Sequence, residues 1–221
     1  GNTVFSDEEL SGALADVHGL LTLAGLEAAA QRVTRMYHDA GYLLAEAYLP
    51  EQEIDASGIV QIAVLEGRYG RIVLQNRSRL SDEAARRAFA GLREGDPIAW
   101  GTLERATQLL QETPGVRARA VLVPAAEPGR YDVRVELDDG VQRSGVIGLD
   151  NLGGSLTGQI RATALAEWYN VSGAGDRVSV QGGSSGSSWR FGRVGYQRPV
   201  GPVRVDLAFQ SSGYEAGGSV V

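Results

Sequence analysis

Through roughly the first 140 residues apolar side chains recur at helical spacing, interrupted by short alternating runs; beyond that point alternation takes over. Ser6 followed by Asp7, Glu8 and Glu9 reads as a helix N-cap with an acidic first turn, and Leu10, Leu14 and Val17 supply its apolar stripe. Thr22 opens a longer helix through Leu26, Ala29, Ala30, Val33, Met36, Tyr37 and Ala40, and Gly41 stands where a left-handed C-terminal cap is expected. Two short strands follow, Ala45 to Leu49, stopped by Pro50, and a run carrying Ile59, Ile62, Val64 and Leu65. The polar turn Glu51 to Gly58 separates them.

The same order then recurs with a strand in front of it. Gly70 to Gln75 is that strand; Ser81 caps a helix through Ala84, Ala85, Ala88 and Phe89, and Gly95, Asp96 and Pro97 punctuate. Ile98 to Glu112 forms the next helix through Leu103, Ala106, Leu109 and Leu110, stopped by Pro114 and Gly115. Val116 to Val123 and Tyr131 to Leu137 complete the copy. A strand, helix, helix, strand, strand unit repeated at a spacing of roughly 70 residues predicts tandem small domains. The first copy lacks its opening strand, with Gly1 and Asn2 as the turn after it, so the chain is expected to begin inside a domain.

After residue 140 Gly and Ser crowd in beside Trp, Tyr and alternating Val. From Gln159 to Tyr169 one face is Ile160, Ala162, Ala164, Ala166 and Trp168, and the other carries Arg161, Thr163, Leu165 and Glu167. Val203, Val205, Leu207 and Phe209 likewise alternate with Arg204, Asp206, Ala208 and Gln210. Arg177 to Gln181 repeats the pattern briefly, whereas Trp189 to Arg198 breaks it around Gly192 and Arg193, the signature of a bulge or a shifted register. About five strands are expected, joined by turns such as Ser172 to Asp176 and Pro199 to Pro202. Such strands fit the wall of a transmembrane β-barrel, apolar toward lipid and polar toward the lumen, and fit a soluble antiparallel sheet with one wet face equally well. Five strands cannot close a pore, since the smallest barrels use about 8.

Composition narrows the function classes. The formal net charge of −6 argues against a nucleic-acid partner, which calls for a basic footprint. The sequence has 0 Cys, so disulfides and thiolate metal sites are excluded. No apolar run reaches the roughly 18–20 residues of a membrane helix, and the start GNTVFSDEEL has no signal-peptide character. With only two well-separated histidines, His18 and His38, no metal cluster can be drawn, and neither metal nor cofactor is expected. Gly182 to Gly186 satisfies G-x-S-x-G, but a nucleophile elbow needs a strand-to-helix turn and a downstream His, so a surface loop is expected. Asp138 and Asp139 read as a solvated turn rather than an acid/base pair, and the sequons at Asn76 and Asn170 as chance matches. Catalytic residues are expected to be none.

The stretch Tyr37-His38-Asp39-Ala40-Gly41-Tyr42, then Ala45, then Tyr48-Leu49-Pro50-Glu51-Gln52-Glu53-Ile54, Gly58 and Val64-Leu65-Glu66-Gly67-Arg68-Tyr69-Gly70, resembles the first POTRA domain of two-partner secretion transporters. These are the haemolysin-activator and filamentous-haemagglutinin exporters of Gram-negative outer membranes. Gly95-Asp96-Pro97, Leu103 to Ala106 and Thr113 to Val116 resemble a second POTRA, and Asp150 to Gly153 with Thr157-Gly158 the first surface hairpin of the family barrel.

The resemblance implies an α+β fold of tandem POTRA domains (βααββ) followed by the first antiparallel strands of an incomplete transmembrane β-barrel. The expected bounds are 1–68, 69–140 and 141–221. It implies a non-enzymatic transporter of the outer membrane, POTRA domains in the periplasm, whose partners are membrane lipid and a secreted exoprotein with an N-terminal secretion domain. By β-augmentation the client would pair with edge strands at Tyr42, Ala45, Ala47 and Tyr48 and at Arg117, Arg119 and Val121. Arg161, Glu167, Arg204 and Asp206 would face the lumen. The alternatives are an outer-membrane insertase of the same superfamily, a soluble envelope scaffold or adhesin with a β-sandwich tail, and, last, an enzyme with a lost catalytic domain.

Overall fold

The computed structural model describes residues 2–54, 57–154, 158–186, 188–201 and 203–215. Gly1, Thr157 and Pro202, which entered the sequence reading, lie outside them. Helix α1 (Asp7–Ala13) starts from a capping box in which Ser6 Oγ accepts the Glu9 N–H and the Glu9 carboxylate accepts the Ser6 N–H. Helix α2 (Leu23–Asp39) starts at Thr22, whose Oγ1 accepts the Gly25 N–H, and buries Ala29, Ala30, Val33 and Tyr37, the apolar face expected from its spacing. Gly41 follows with φ +89°, the left-handed turn that only glycine adopts without cost. Strands β1 (Glu46–Tyr48) and β2 (Ala63–Leu65) then pair antiparallel, with Ala47 opposite Val64. Ala30, Val33, Tyr37, Ala45 and Ala47 form the buried cluster under them, sealed by Val4, Phe5, Leu10, Leu14, Tyr42, Ile62 and Val64.

Next come β3 (Arg68–Asn76), α3 (Asp82–Ala88), α4 (Trp100–Gln111), β4 (Val116–Pro124) and β5 (Arg130–Asp139), in the expected βααββ order. The sheet order is β3-β5-β4, which leaves β4 outermost. Five strands follow: β6 (Arg143–Asp150), β7 (Arg161–Tyr169), β8 (Arg177–Ser184), β9 (Trp189–Val200) and β10 (Val203–Tyr214). They form one antiparallel meander whose edges are β6 and β10, so the sheet is not closed among the described residues. No helix among the described residues is long and apolar enough to cross a membrane.

The chain divides into two compact units. The first is Gly1–Gln75, Ala88–Gln108 and Ala120–Val135; the second is Asn76–Arg87, Leu109–Arg119 and Glu136–Val221. Within the first, Tyr69, Phe89, Leu92, Ile98, Leu103, Ala106, Val133 and Val135 are buried besides the cluster under β1. Within the second, the buried apolar residues are Leu80, Ala85, Leu110, Val116 and Leu137.

The bulge expected near Gly192 does not form. Strand β9 pairs without interruption on both sides, Gly192 standing opposite Gly182 and Ser211. The alternation is intact, and it is hidden in the sequence because Gly192 and Gly195 carry no side chain to mark their faces. Gly182 to Gly186 closes the β8 strand and turns toward another strand rather than a helix, so the hydrolase spacing is accidental.

Candidate functional site

Three groups of residues bear on function: the Glu66-Gly67-Arg68 motif, the strand edges, and the two faces of the meander.

Glu66 has a buried side chain that accepts from Thr3 N–H at 2.6 Å, Thr3 Oγ1 at 2.7 Å, Val4 N–H at 2.9 Å and Tyr37 OH at 3.0 Å. Burial alone pushes its carboxyl up, but these donors outweigh the loss of water and hold it below the ordinary glutamate value. Tyr37 moves the opposite way, pushed up first by burial and then by the adjacent carboxylate. Arg68 bonds Glu66 and Thr3 Oγ1, and donates to Gly95 O at 2.7 Å. Gly67 between them packs on Leu44, where a Cβ would collide, and its carbonyl accepts the Ile98 N–H at 2.8 Å. Sequence reading found this motif only as a family marker; its bonds fasten the start of the chain to the turn before α4.

The edge of β1 is occupied by the protein itself. Ala47 N–H donates to Thr34 Oγ1 at 2.9 Å, Ala45 N–H donates to Tyr42 O at 3.0 Å, and His38 Nε2 bonds Ala45 O at 3.0 Å. The edge expected to be open at Ala45 and Ala47 is therefore closed there. Thr34 and His38 sit one turn apart on α2, on the helix face that meets the strand. Tyr42 is half-buried, edge-on to Tyr37 with ring centroids 6.4 Å apart, and Tyr48 is exposed.

Strand β4 differs. Ala125 N–H bonds Arg130 O and Gly140 N–H bonds Gly115 O, each at 2.9 Å, which fixes one register along β4 and β5. The odd positions from 115 to 125 thus turn their backbone groups toward β5, and the even ones turn theirs outward. Gln111 Nε2 donates to Ala118 O at 3.2 Å from that outer side, in agreement. The N–H groups of Ala118, Ala120 and Leu122 face outward on the outermost strand. Arg117 and Arg119 are exposed and Val121 half-buried on the other face of the strand.

Register in the meander sorts its side chains into two faces. Glu167, Ser179, Gly195 and Ala208 lie in one row, which puts Arg161, Glu167, Arg204 and Asp206 on the same face. That face is polar and internally paired. Arg161 bonds Asp150 at 2.8 Å, Glu167 accepts from Tyr169 OH at 2.6 Å with Arg177 at 3.5 Å, and Gln197 donates to Asp206 at 2.6 Å.

The opposite face carries Ile147, Leu149, Val180, Val194, Val205, Leu207 and Phe209, all exposed. Trp168, Val178, Tyr196 and Leu207 form a row across it. Arg198 lies beyond that row, and Arg190 bounds the apolar band at the other end. The six steps from Tyr196 to Arg190 span roughly 20 Å at about 3.3 Å per residue. An exposed apolar band edged by aromatic and basic residues is the outer surface of a membrane barrel, not of a soluble sheet.

Comparison with known proteins agrees. Residues 1–67 match the family described as POTRA domain, ShlB-type. The heme/hemopexin transporter protein HuxB of Haemophilus influenzae is 30% identical over 161 residues, covering 72% of this chain and 28% of that protein. The outer membrane transporter CdiB of Dickeya dadantii is 25% identical over 190 residues, covering 82% of this chain and 33% of that one. This chain thus spans about a third or less of the curated relatives it matches. Among solved structures, CdiB from Escherichia coli superposes with a TM-score of 0.77 at 26% identity, covering 96% of this chain and 40% of that one. BamA from Haemophilus ducreyi lacking POTRA domains 1-3 reaches 0.61 at 18% identity over 96% of this chain and 41% of its own, a likeness of fold alone. Residues 1–67 thus match a ShlB-type POTRA domain, and with a second βααββ unit and strands like those of CdiB the chain is similar over most of its length to the opening third of outer-membrane transporters of two-partner secretion.

Proposed function

We propose that this chain forms the receiving part of a two-partner secretion transporter. Its POTRA units take up an unfolded secreted protein, of the adhesin, cytolysin or contact-dependent toxin kind, by its N-terminal secretion domain and pass it to the β-barrel pore. The relatives carry the names of transporters, which supports transport rather than catalysis. The observation that carries the docking step is the outer edge of β4, where the N–H groups of Ala118, Ala120 and Leu122 point away from β5 on an outermost strand. An extended client adds a strand there through main-chain bonds, which read little of its sequence and suit an unfolded passenger. The β1 edge, closed by Thr34, Tyr42 and His38, takes no part at Ala45 or Ala47.

Ala120→Pro in the full-length transporter tests the step. The Ala120 N–H serves no bond to β5, so proline removes one docking donor at an edge position that tolerates it. The secreted partner should reach the medium at about a tenth of its normal level, the loss of roughly 1.4 kcal/mol of binding, with the barrel still assembled. Wild-type secretion by this variant refutes docking on β4. An insertase of the BamA kind shares the fold, and normal levels of other outer-membrane barrels after depletion of this protein separate the two readings.

A further inference from the structure

We propose that the turn between β7 and β8, Asn170 to Asp176, is a clamp that holds the Asn76–Ser81 loop and the approach to β4 against the base of the meander, so that these parts move as one body during transport.

The turn is rigid in itself. Asn170 is the one non-glycine residue with positive φ among the described residues, at 53°, and is 2% exposed. Its Oδ1 accepts the Gly175 N–H at 3.0 Å, its N–H donates to Asp176 O at 2.6 Å, and the buried Asp176 carboxylate accepts the Ser172 N–H at 2.9 Å. Asparagine tolerates this left-handed conformation because its side chain bonds the local backbone, as it does here. Gln142 Oε1 and Asn170 Nδ2 are buried with no hydrogen-bond partner among the described residues.

From this rigid turn the contacts run outward. Gly173 O accepts the Ser81 N–H at 2.8 Å. Gly175, at φ +75°, lies against Thr113, and a Cβ there would stand 2.8 Å from Thr113 Cγ2. Gly115 fits against Tyr169 and Asn170, and its carbonyl accepts from Gln142 Nε2 at 2.7 Å. The loop is pinned from its other side by Asp138 and Asp139, which bond Arg77 Nε and the Arg79 N–H, each at 2.9 Å. Asn76 Nδ2 ties its ends together through Leu80 O at 2.6 Å and Asp82 at 2.8 Å. The paired aspartates therefore have a mechanical task, and both asparagines of the sequon positions are engaged in turn geometry. All these residues fall in one compact unit.

Hydrogen exchange on the full-length transporter tests the clamp directly. Gly175→Val should raise exchange across 77–82 and 113–117 by about tenfold or more, as local opening does, while the barrel stays folded and secretion falls several-fold. Asp139→Ala, outside the meander, should raise exchange at 77–82 and covers the case in which Gly175→Val fails to assemble. Unchanged exchange in both variants overturns the clamp, and raised exchange with undiminished secretion overturns its role in transport. The inference rests on the transport reading through its secretion arm only. If the wild-type protein releases no partner while exchange responds as stated, it is that reading which fails.

Discussion

Replacing Glu66 by alanine removes the acceptor on which five donor groups converge: Thr3 N–H and Oγ1, Val4 N–H, Tyr37 OH and the Arg68 guanidinium. Its side chain is 2% exposed, so water does not replace what is lost. Removing one partner of a buried charged network costs about 3–5 kcal/mol, because the others remain desolvated and unpaired. With a urea slope of about 1–3 kcal/mol/M, that lowers the midpoint for the segment by roughly 1–5 M. Pulse proteolysis of the full-length transporter in a urea series, scored for cleavage before residue 68, reads this segment alone. Glu66→Gln keeps the shape but turns an amide toward donors, and should lose about half as much.

The pH dependence has a definite sign. The folded carboxyl lies below its ordinary value, so its stabilisation is present above the unfolded value of about 4.3 and is lost as pH falls through the depressed one. The gap between wild type and Glu66→Gln should be full at neutral pH and narrow only in acid. A loss under about 1 kcal/mol for Glu66→Ala, or a gap that closes on the alkaline side, refutes the reasoning.

Further outcomes follow from the same geometry. Phe209→Arg places a charge toward the middle of the apolar band on β10 and should weaken the barrel by about 2–4 kcal/mol, whereas Gln210→Arg on the polar face should not; heat-modifiability on gels distinguishes them. Absorbance titration should leave Tyr69, pushed up to about 12 by burial, and Tyr37, pushed higher still, un-ionised at pH 11. Gly129→Ala combines φ +75° with a Cβ 2.7 Å from Leu65 Cδ1, and should cost about 1–3 kcal/mol by thermal denaturation.

Local signals carried most of the fold. Ser6, Thr22 and Gly41 mark their helix ends in the sequence because capping is decided within four residues, and each performs the expected task. The βααββ order and the meander followed from periodicity for the same reason. What escaped depended on partners distant in sequence. Thr34 and His38 on α2 give no hint that they close the edge of β1, since only tertiary packing brings that helix face to the strand. Asp138 and Asp139 read as a solvated turn; they end β5 and, still partly exposed, pair with Arg77 and Arg79 from the loop after β3. Around Gly192 the obstacle was different: a residue without a side chain shows no face, and register came from its neighbours in space.

The bonds of Glu66 to Thr3 and Val4 also set an order of events during synthesis and export. They join positions 63 and 62 residues apart, so the segment at Asn2 to Phe5 has no place to dock until Glu66 and Arg68 have left the secretion channel. Closing a loop of that length costs chain entropy before any bond rewards it. Helix α2 can form earlier, but its Tyr37 hydroxyl stays without its carboxylate over the same interval.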